Sequence, residues 1–183
     1  LDDSSTLILD SFVGSTHMTD KFEAKYAGHV LDAGLYMSLG HSIGMAIGAQ
    51  VARPGRQVLS LIGDGGFGIS GMDMETMVRY GLPSVVVLLN NASWGGRAWA
   101  HDLYYPKRKG TGDLSEIRYD KMFEHVGCHV EHVEDEKGIK PALDRAFASG
   151  RPALIDVASD TDRLTSVRVG ANLMDVWVRD GVG

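Results

Sequence analysis

The strongest constraint on the fold is a regular alternation between short apolar runs and longer segments with helical periodicity. The clearest run is 85–89, Val-Val-Val-Leu-Leu, whose apolar residues are continuous rather than alternating. Such a run is typical of a parallel strand that is covered on both faces. The alternation therefore predicts an α/β fold, a doubly wound and mostly parallel sheet with helices on both faces. The predicted strands are 6–9, 57–62, 84–89, 128–133 and 153–157, and the predicted helices are 38–52, 70–80, 119–125 and 136–149.

Several connecting segments carry their own local signals. Segment 28–34 is predicted to be a loop, and 92–112, which is rich in glycine and aromatic residues, a long functional loop. Ser70 and Asp73 have the spacing of a capping box with Asp in place of Glu, so a helix is expected to begin there. Glycines recur every four residues over 40–48, which predicts close packing along one face of the helix that contains them.

Length and composition favour one globular domain over the whole chain, residues 1–183. A chain of this size can bury the core of an α/β domain. The net charge of −6 argues against nucleic-acid binding, which normally requires a basic surface. The apolar runs are too short to cross a membrane, no signal-peptide pattern opens the chain, and the lone Cys128 allows no internal disulfide. We therefore expect a cytoplasmic protein that contacts neither membrane nor nucleic acid.

Polar residues of an unusual kind follow two of the predicted strands, in the segments 63–68 and 90–91. In an open parallel sheet, ligands gather at the carboxyl ends of the strands. Asp64 lies within a glycine loop suited to a diphosphate, yet its carboxylate would repel that group unless a cation lay between them. Mg²⁺ takes oxygen ligands and often bridges a carboxylate to phosphate, and Asn91 can supply a neutral amide oxygen. Each segment taken alone can also be read as a tight turn.

The first of these segments also fits the dinucleotide-binding pattern G-x-G-x-x-G through Gly63, Gly65 and Gly68. In that pattern an acidic residue about 20 positions later binds the ribose, and it is absent here, where Asn90 stands instead. A nicotinamide-dependent dehydrogenase domain is therefore kept as an alternative.

The glycine loop and the asparagine pair together resemble a known family signature. Gly63-Asp64-Gly65 and Asn90-Asn91, with 24 residues between them, look like the GDG–NN signature of enzymes that depend on thiamine diphosphate (ThDP). Segments 51–67 and 72–83 are similar to acetolactate synthase, oxalyl-CoA decarboxylase and 2-hydroxyacyl-CoA lyase, and 34–49 resembles the stretch that meets the aminopyrimidine ring. The resemblance covers roughly 28–157 and implies the C-terminal, pyrophosphate-binding domain.

That resemblance implies two cofactors, ThDP and Mg²⁺, and assigns residues to them. Asp64 and Asn91 would bind Mg²⁺ through their side chains and Ser93 through its carbonyl oxygen. The backbone N–H groups that would hold the diphosphate are those of Gly65, Gly66, Gly95 and Gly96. The family usually has Ser or Ala at position 66, so Gly66 removes one possible hydroxyl donor.

Four further positions follow from the resemblance. Leu39 stands where the family has a bulky apolar residue beneath the cofactor, and its N–H, with the Met37 carbonyl, would bind the pyrimidine edge. Arg97 and His101 would lie near the reacting end, Arg97 to hold a substrate carboxylate or acyl phosphate and His101 to move protons near pH 7. Leu39, Arg97 and His101 are the candidate catalytic residues. The plain alternatives are a core leucine at 39 and solvated loop side chains at 97 and 101.

The resemblance also implies a partner. A glutamate that activates ThDP comes from a separate pyrimidine-binding domain, usually of another subunit, and the 27 residues before Gly28 are too few to form that domain. We expect a small subunit that works with a larger one carrying that domain and its glutamate, as in a heterotetramer; a piece of a longer enzyme is the alternative.

The expected activity is that of a lyase, decarboxylase or carboligase acting on a small-molecule 2-oxo acid or 2-hydroxyacyl-CoA. A non-catalytic assembly subunit that retains the fold is a further alternative.

Overall fold

The computed structural model describes most of the chain. The described residues are 1–12, 14, 15, 18, 21–32, 38–95 and 112–159. Within them, no helix has the length and apolar character needed to span a bilayer.

Six described strands form one sheet in which every neighbouring pair is parallel. Their order across the sheet is β2-β1-β3-β4-β6-β5. This arrangement confirms the predicted doubly wound α/β fold. The strands are β1 (Thr6–Leu9), β2 (Val30–Asp32), β3 (Val58–Gly63), β4 (Val85–Asn90), β5 (His129–Val133) and β6 (Ala153–Ala158).

Helices cover both faces of this sheet. They are α1 (His41–Ala52), α2 (Asp64–Ser70), α3 (Met74–Tyr80), α4 (Tyr119–Val126) and α5 (Glu136–Ala148), with a short 3₁₀ segment, Gly71–Asp73, between α2 and α3. Successive residues of each strand point to opposite faces, and so β1 sends Ile8 into one core and Leu7 and Leu9 into the other. The first core packs against α1–α4 and the second against α5, which is why the strands are apolar throughout.

The segment 28–34 was predicted to be a loop, and this prediction is wrong in part, because β2 lies inside it. Strand β2 pairs in parallel with β1 through Val30, Leu31 and Asp32. It has only three residues and lies at the edge of the sheet. A strand this short is below the length at which apolar periodicity can be recognised.

The helix predicted over 70–80 is present as the 3₁₀ segment Gly71–Asp73 followed by α3, but the predicted capping box is wrong and the helix that precedes it was not predicted. Helix α2 begins at Asp64, directly after β3, and Ser70 makes no side-chain capping bond. Phe67 explains the difference, because it is buried and packs edge-on against the rings of Tyr119 and Phe123. This tertiary contact stabilises a helix whose several glycines disfavour it locally.

The close packing predicted for the glycine face of α1 is found at one position only. A Cβ atom on Gly40 would lie 3.0 Å from the Gly66 carbonyl oxygen, whereas one on Gly44 or Gly48 would meet no described atom within 4 Å. Most of this face is therefore open in the described structure.

Candidate functional site

The candidate site lies at the point in the sheet where the chain, having added β2 on one side of β1, adds β3 on the other side. The chain runs from β1 outward to β2 at one edge, then returns to β3 on the other side of β1 and continues to β4. The carboxyl ends of such a switch point form the usual ligand crevice of an open α/β sheet. Asp10 follows β1, Asp64 follows β3 and Asn91 follows β4, so the topology brings these three side chains to one edge.

Asp64 is the charged centre of this edge. It is 3% exposed. One carboxylate oxygen, Oδ1, accepts the Gly65 N–H at 2.8 Å, and the other, Oδ2, accepts the Ser93 N–H at 3.0 Å. Burial raises the pKa of Asp64, and the hydrogen bonds from Ser93 and Gly65 only partly oppose it. A carboxylate in this position gains from a nearby cation.

Asn91 shares a hydrogen-bond donor with Asp64. Its Oδ1 accepts the Ser93 N–H at 3.2 Å, the same N–H that donates to Asp64 Oδ2. Ala92 lies between Asn91 and Ser93 and has a left-handed backbone with φ 51°, as is common in tight turns. The structure therefore brings together the two side-chain oxygens that the sequence assigns to Mg²⁺.

The two glycines after Asp64 lie close to side chains from other parts of the chain. A Cβ atom on Gly65 would lie 3.1 Å from Nε1 of Trp94, and one on Gly66 would lie 2.9 Å from Oδ1 of Asp10. A side chain at 66 would therefore overlap the Asp10 carboxylate, whereas one at 65 would require the Trp94 ring to shift by a few tenths of an ångström. A cleft opens beside this turn, lined by Asp64, Gly65, Gly68, Ile69, Trp94, Leu114, Ser115, Ile117 and Tyr119.

Two of the backbone groups assigned to the cofactor already have partners within the chain. The Gly65 N–H donates to Asp64, and the Gly95 N–H donates to the Ser93 carbonyl oxygen at 2.9 Å. The Ser93 carbonyl keeps a second lone pair, so it remains able to bind a metal ion. Met37, Gly96, Arg97 and His101 lie outside the described residues.

Leu39 lies at the rim of the site rather than in the core. It is 36% exposed, which contradicts the reading of it as a core leucine. The next residue, Gly40, has a left-handed φ of 79° and packs against Gly66 and Ile69. The loop that carries Leu39 is thus placed directly beside the glycine turn.

Asp10 is a residue of this edge that sequence reasoning missed. Its Oδ1 accepts the Gly40 N–H and its Oδ2 accepts the Ser42 N–H, both at 2.9 Å. This side chain is buried, and it caps the amino end of α1 from a distant strand. As a result α1 begins at His41 instead of the predicted residue 38. The only signal in the sequence was the position of an acid directly after a predicted strand.

Comparison with known proteins identifies the family. Residues 13–157 match the family model described as "Thiamine pyrophosphate enzyme, C-terminal TPP binding domain". The chain belongs to this family. The match begins earlier than the resemblance drawn from the motifs, which started at residue 28, and it favours the ThDP reading of the glycine loop over the dinucleotide reading.

Curated relatives of this ThDP domain include two kinds of enzyme. It is 35% identical over 164 residues to a probable acetolactate synthase of Mycobacterium bovis. That alignment covers 87% of this chain and 29% of the relative. The domain is 38% identical over 135 residues to a 2-hydroxyacyl-CoA lyase of Oryza sativa subsp. japonica. That alignment covers 71% of this chain and 23% of the relative. The ThDP domain thus spans less than a third of either relative.

A solved structure shares the fold. The Rhodococcus jostii RHA1 thiamine diphosphate-dependent 4-hydroxybenzoylformate decarboxylase superimposes with a TM-score of 0.79 at 24% sequence identity. The alignment covers 87% of this chain and 30% of that one. At this identity the likeness concerns the fold alone, and it agrees with the six-stranded parallel sheet.

Proposed function

We propose that this domain binds the diphosphate of ThDP through Mg²⁺ and serves a lyase, decarboxylase or carboligase that acts on a 2-oxo acid or a 2-hydroxyacyl-CoA. The observation that carries the proposal is the convergence of Asp64 and Asn91 on the Ser93 N–H, at the carboxyl ends of two adjacent strands. A buried carboxylate beside a neutral amide oxygen and a backbone carbonyl is a set of hard oxygen donors of the kind that Mg²⁺ selects.

Each residue of the site then has a distinct task. Asp64, Asn91 and Ser93 hold the metal ion, while Gly65 and Gly66 leave room beside it. Bound ThDP supplies an electron sink for negative charge that develops next to a carbonyl carbon. The protein contributes the position of that group and the exclusion of water from it.

Leu39 would support the cofactor from below, with the Met37 carbonyl at the pyrimidine edge. Gly95 and Gly96 would complete the diphosphate contacts. Arg97 and His101 are proposed to bind the substrate and to move protons. The positions of Arg97 and His101 shortly after Ser93 in the chain support this assignment.

The proposal includes a pyrimidine-binding domain that supplies the activating glutamate, carried on a larger subunit of a heteromeric enzyme. An exposed apolar surface beside the site supports it. Leu39, Ile69 and Met72 are all exposed, and a Cβ atom on Gly40 would lie 3.1 Å from Cβ of Ile69. An apolar rim of this kind is typical of a protein interface rather than of a surface facing water.

The metal-dependent part of the proposal is tested by calorimetric titration of ThDP into the protein in its native polypeptide or complex. We expect binding to require Mg²⁺, to be lost with EDTA, and to weaken at least about tenfold in Asp64→Asn. Asp73→Asn is the matched control, because Asp73 is an exposed acid one short helix away. Equal ThDP affinity in Asp64→Asn and in the wild type, or tight NAD binding without metal, would contradict the proposal.

The substrate class needs a separate assay. Turnover of 2-oxo acids and of 2-hydroxyacyl-CoA compounds is compared in the complete enzyme. Reaction of free 2-oxo acids alone would exclude the acyl-CoA branch. Full activity in Asp64→Asn would instead favour a domain that serves only in assembly.

A further inference from the structure

Three side chains of types that can ligate a metal ion lie together outside the proposed ThDP site. Asp120 comes from the first turn of α4, His132 from β5 and Asp156 from β6. One donor atom from each residue lies within 4.8 Å of the others. His132 and Asp156 are directly paired in the register of the two strands, so the backbone itself fixes their separation.

Two atoms in this group have no hydrogen-bond partner among the described residues. They are Oδ2 of Asp156, a residue that is fully buried, and Nδ1 of His132. The two atoms are 3.7 Å apart, which is too far for a hydrogen bond. Buried polar atoms without partners are rare, and each points to an interaction that the protein atoms alone do not supply.

The neighbouring groups orient these two atoms toward each other. His132 Nε2 lies 3.3 Å from a Glu134 carboxylate oxygen, so the hydrogen-bond network places the ring proton on Nε2. Nδ1 then offers a free lone pair on the side of Asp156. Asn90 Nδ2 donates to the other oxygen of Asp156 at 3.1 Å, which leaves Oδ2 turned toward the histidine. A carboxylate that orients a histidine through its second nitrogen is a common arrangement around protein-bound metals.

The charges of the group also favour a cation. Arg118 neutralises Asp120 through two hydrogen bonds of 2.8 Å each. Among the described residues, Asp156 forms no ion pair with an arginine or lysine within 4 Å, although Arg118 is close enough to attract both Asp156 and Glu134. Burial raises the pKa of Asp156, because the charged form is poorly solvated there. A divalent ion would compensate this carboxylate and the adjacent Glu134 together.

We propose that Asp120, His132 and Asp156 form a second metal site, selective for a divalent transition-metal ion such as Zn²⁺. Zn²⁺ binds imidazole nitrogen and carboxylate oxygen at about 2.0–2.2 Å, so two of its ligands lie roughly 3–3.5 Å apart. Nδ1 and Oδ2 lie 3.7 Å apart and need only a slight closure to reach this spacing. The donor atoms of all three residues lie within 4.8 Å of one another, and Asp120 would have to exchange part of its contact with Arg118 for the ion. The imidazole ligand distinguishes the site from the all-oxygen set at Asp64.

This site would stabilise the structure around the cofactor rather than take part in the reaction. The bound ion would tie the start of α4 to β5 and β6. Asn90, which bonds both to Asp156 and to the Ile117 carbonyl oxygen, connects the site to the end of β4 and so to Asn91. The inference rests on its own three residues and does not depend on the proposed function.

The test uses the protein in its native polypeptide or complex, stripped with EDTA and then titrated with Zn²⁺ in the presence of excess Mg²⁺. We expect one saturable Zn²⁺ per chain, with X-ray absorption showing one imidazole nitrogen among oxygen ligands. His132→Gln and Asp156→Asn should each weaken Zn²⁺ binding at least about tenfold. His129→Gln is the matched control. His129 lies on the same strand as His132, but its side chain points to the other face of the sheet, where it contacts Glu131.

Two further measurements make the outcome decisive. Asp64→Asn should retain the Zn²⁺ site, which separates this inference from the failure or success of the proposed function. Circular dichroism verifies that each variant is folded. Asp156 is fully buried, so its variant can misfold. The decisive variant is therefore His132→Gln, because His132 is partly exposed. Absence of saturable Zn²⁺ binding in the wild type, or unchanged affinity in folded His132→Gln, overturns the inference.

Discussion

At the scale of single residues, the site is defined by close approach between Asp10 and Gly66. The Asp10 carboxylate holds the Gly40 and Ser42 N–H groups and occupies the space that a side chain at 66 would need. The family resemblance leads one to expect Ser or Ala at that position. A glycine here is explained by the buried acid that directly follows β1 rather than by the conformation of the loop.

This pairing predicts that the effects of substitutions at the two positions are not additive. Gly66→Ala should lower the free energy of unfolding by about 1–3 kcal/mol, because the new methyl group overlaps the carboxylate. Asp10→Ala should lower it by a similar amount, because two buried N–H groups lose their acceptor. In the double variant the overlap is absent, so the loss should be smaller than the sum by about 0.5–3 kcal/mol. Urea unfolding of the four proteins measures the coupling, and simple additivity would refute the steric explanation.

Cys128 gives a second prediction at this scale. The thiol is 3% exposed, and burial raises its pKa from 9.0 to about 11. It should therefore resist iodoacetamide at pH 8 in the folded protein and react readily in denaturant. Between pH 9 and 11 the unfolded chain ionises this thiol while the folded one does not, so its contribution to stability declines as pH rises. Cys128→Ala should remove that part of the pH dependence, and rapid alkylation of the native protein would contradict the assignment.

At the scale of elements, all the described strands except the three-residue β2 were predictable from sequence, and the start of α2 was not. Strands β3 and β4 are continuous apolar runs that end in polar residues, and their predicted limits agree with the structure to within one residue. Helix α2 lies in a glycine-rich segment, where local propensity favours a turn. The contacts that form it come from α4, about fifty residues later in the chain, and no local pattern in the sequence reports them.

Phe67 is accordingly expected to control both the helix and the site. Phe67→Ala should destabilise the protein by about 3–5 kcal/mol, because it removes a buried ring that packs on two others. Phe67→Leu, which keeps most of the apolar volume, should cost about 1.5 kcal/mol or less. If α2 depends on this contact, the leucine variant should also bind ThDP and Mg²⁺ more tightly than the alanine variant at a temperature where both are folded. Equal affinities would show that the glycine turn holds its shape without Phe67.

At the scale of the whole molecule, the order of the strands explains why the GDG and NN segments meet. They are separated by 24 residues in the chain, yet β3 and β4 are adjacent and parallel, so their carboxyl ends coincide. The sequence therefore predicted Asp64 and Asn91 as a pair. It did not predict the metal-binding group at Asp120, because its members come from three elements and share no motif. The same topology leaves the glycine face of α1 uncovered by any described residue of this chain.

The open glycine face of α1 predicts that substitutions at Gly48 affect the stability of the domain and its association with a partner differently. Gly48→Ala should raise the free energy of unfolding of the chain by roughly 0.5–1 kcal/mol, because alanine favours a helix and its methyl group meets no described atom within 4 Å. Gly48→Leu should likewise leave the fold intact, but it should weaken association with a pyrimidine-binding partner if that partner packs on this face. Lys140→Leu, at an exposed position of α5 on the other face of the sheet, is the control for an added apolar side chain. Sedimentation of the reconstituted enzyme measures the association, and an unchanged dissociation constant for Gly48→Leu would place the partner elsewhere on the domain.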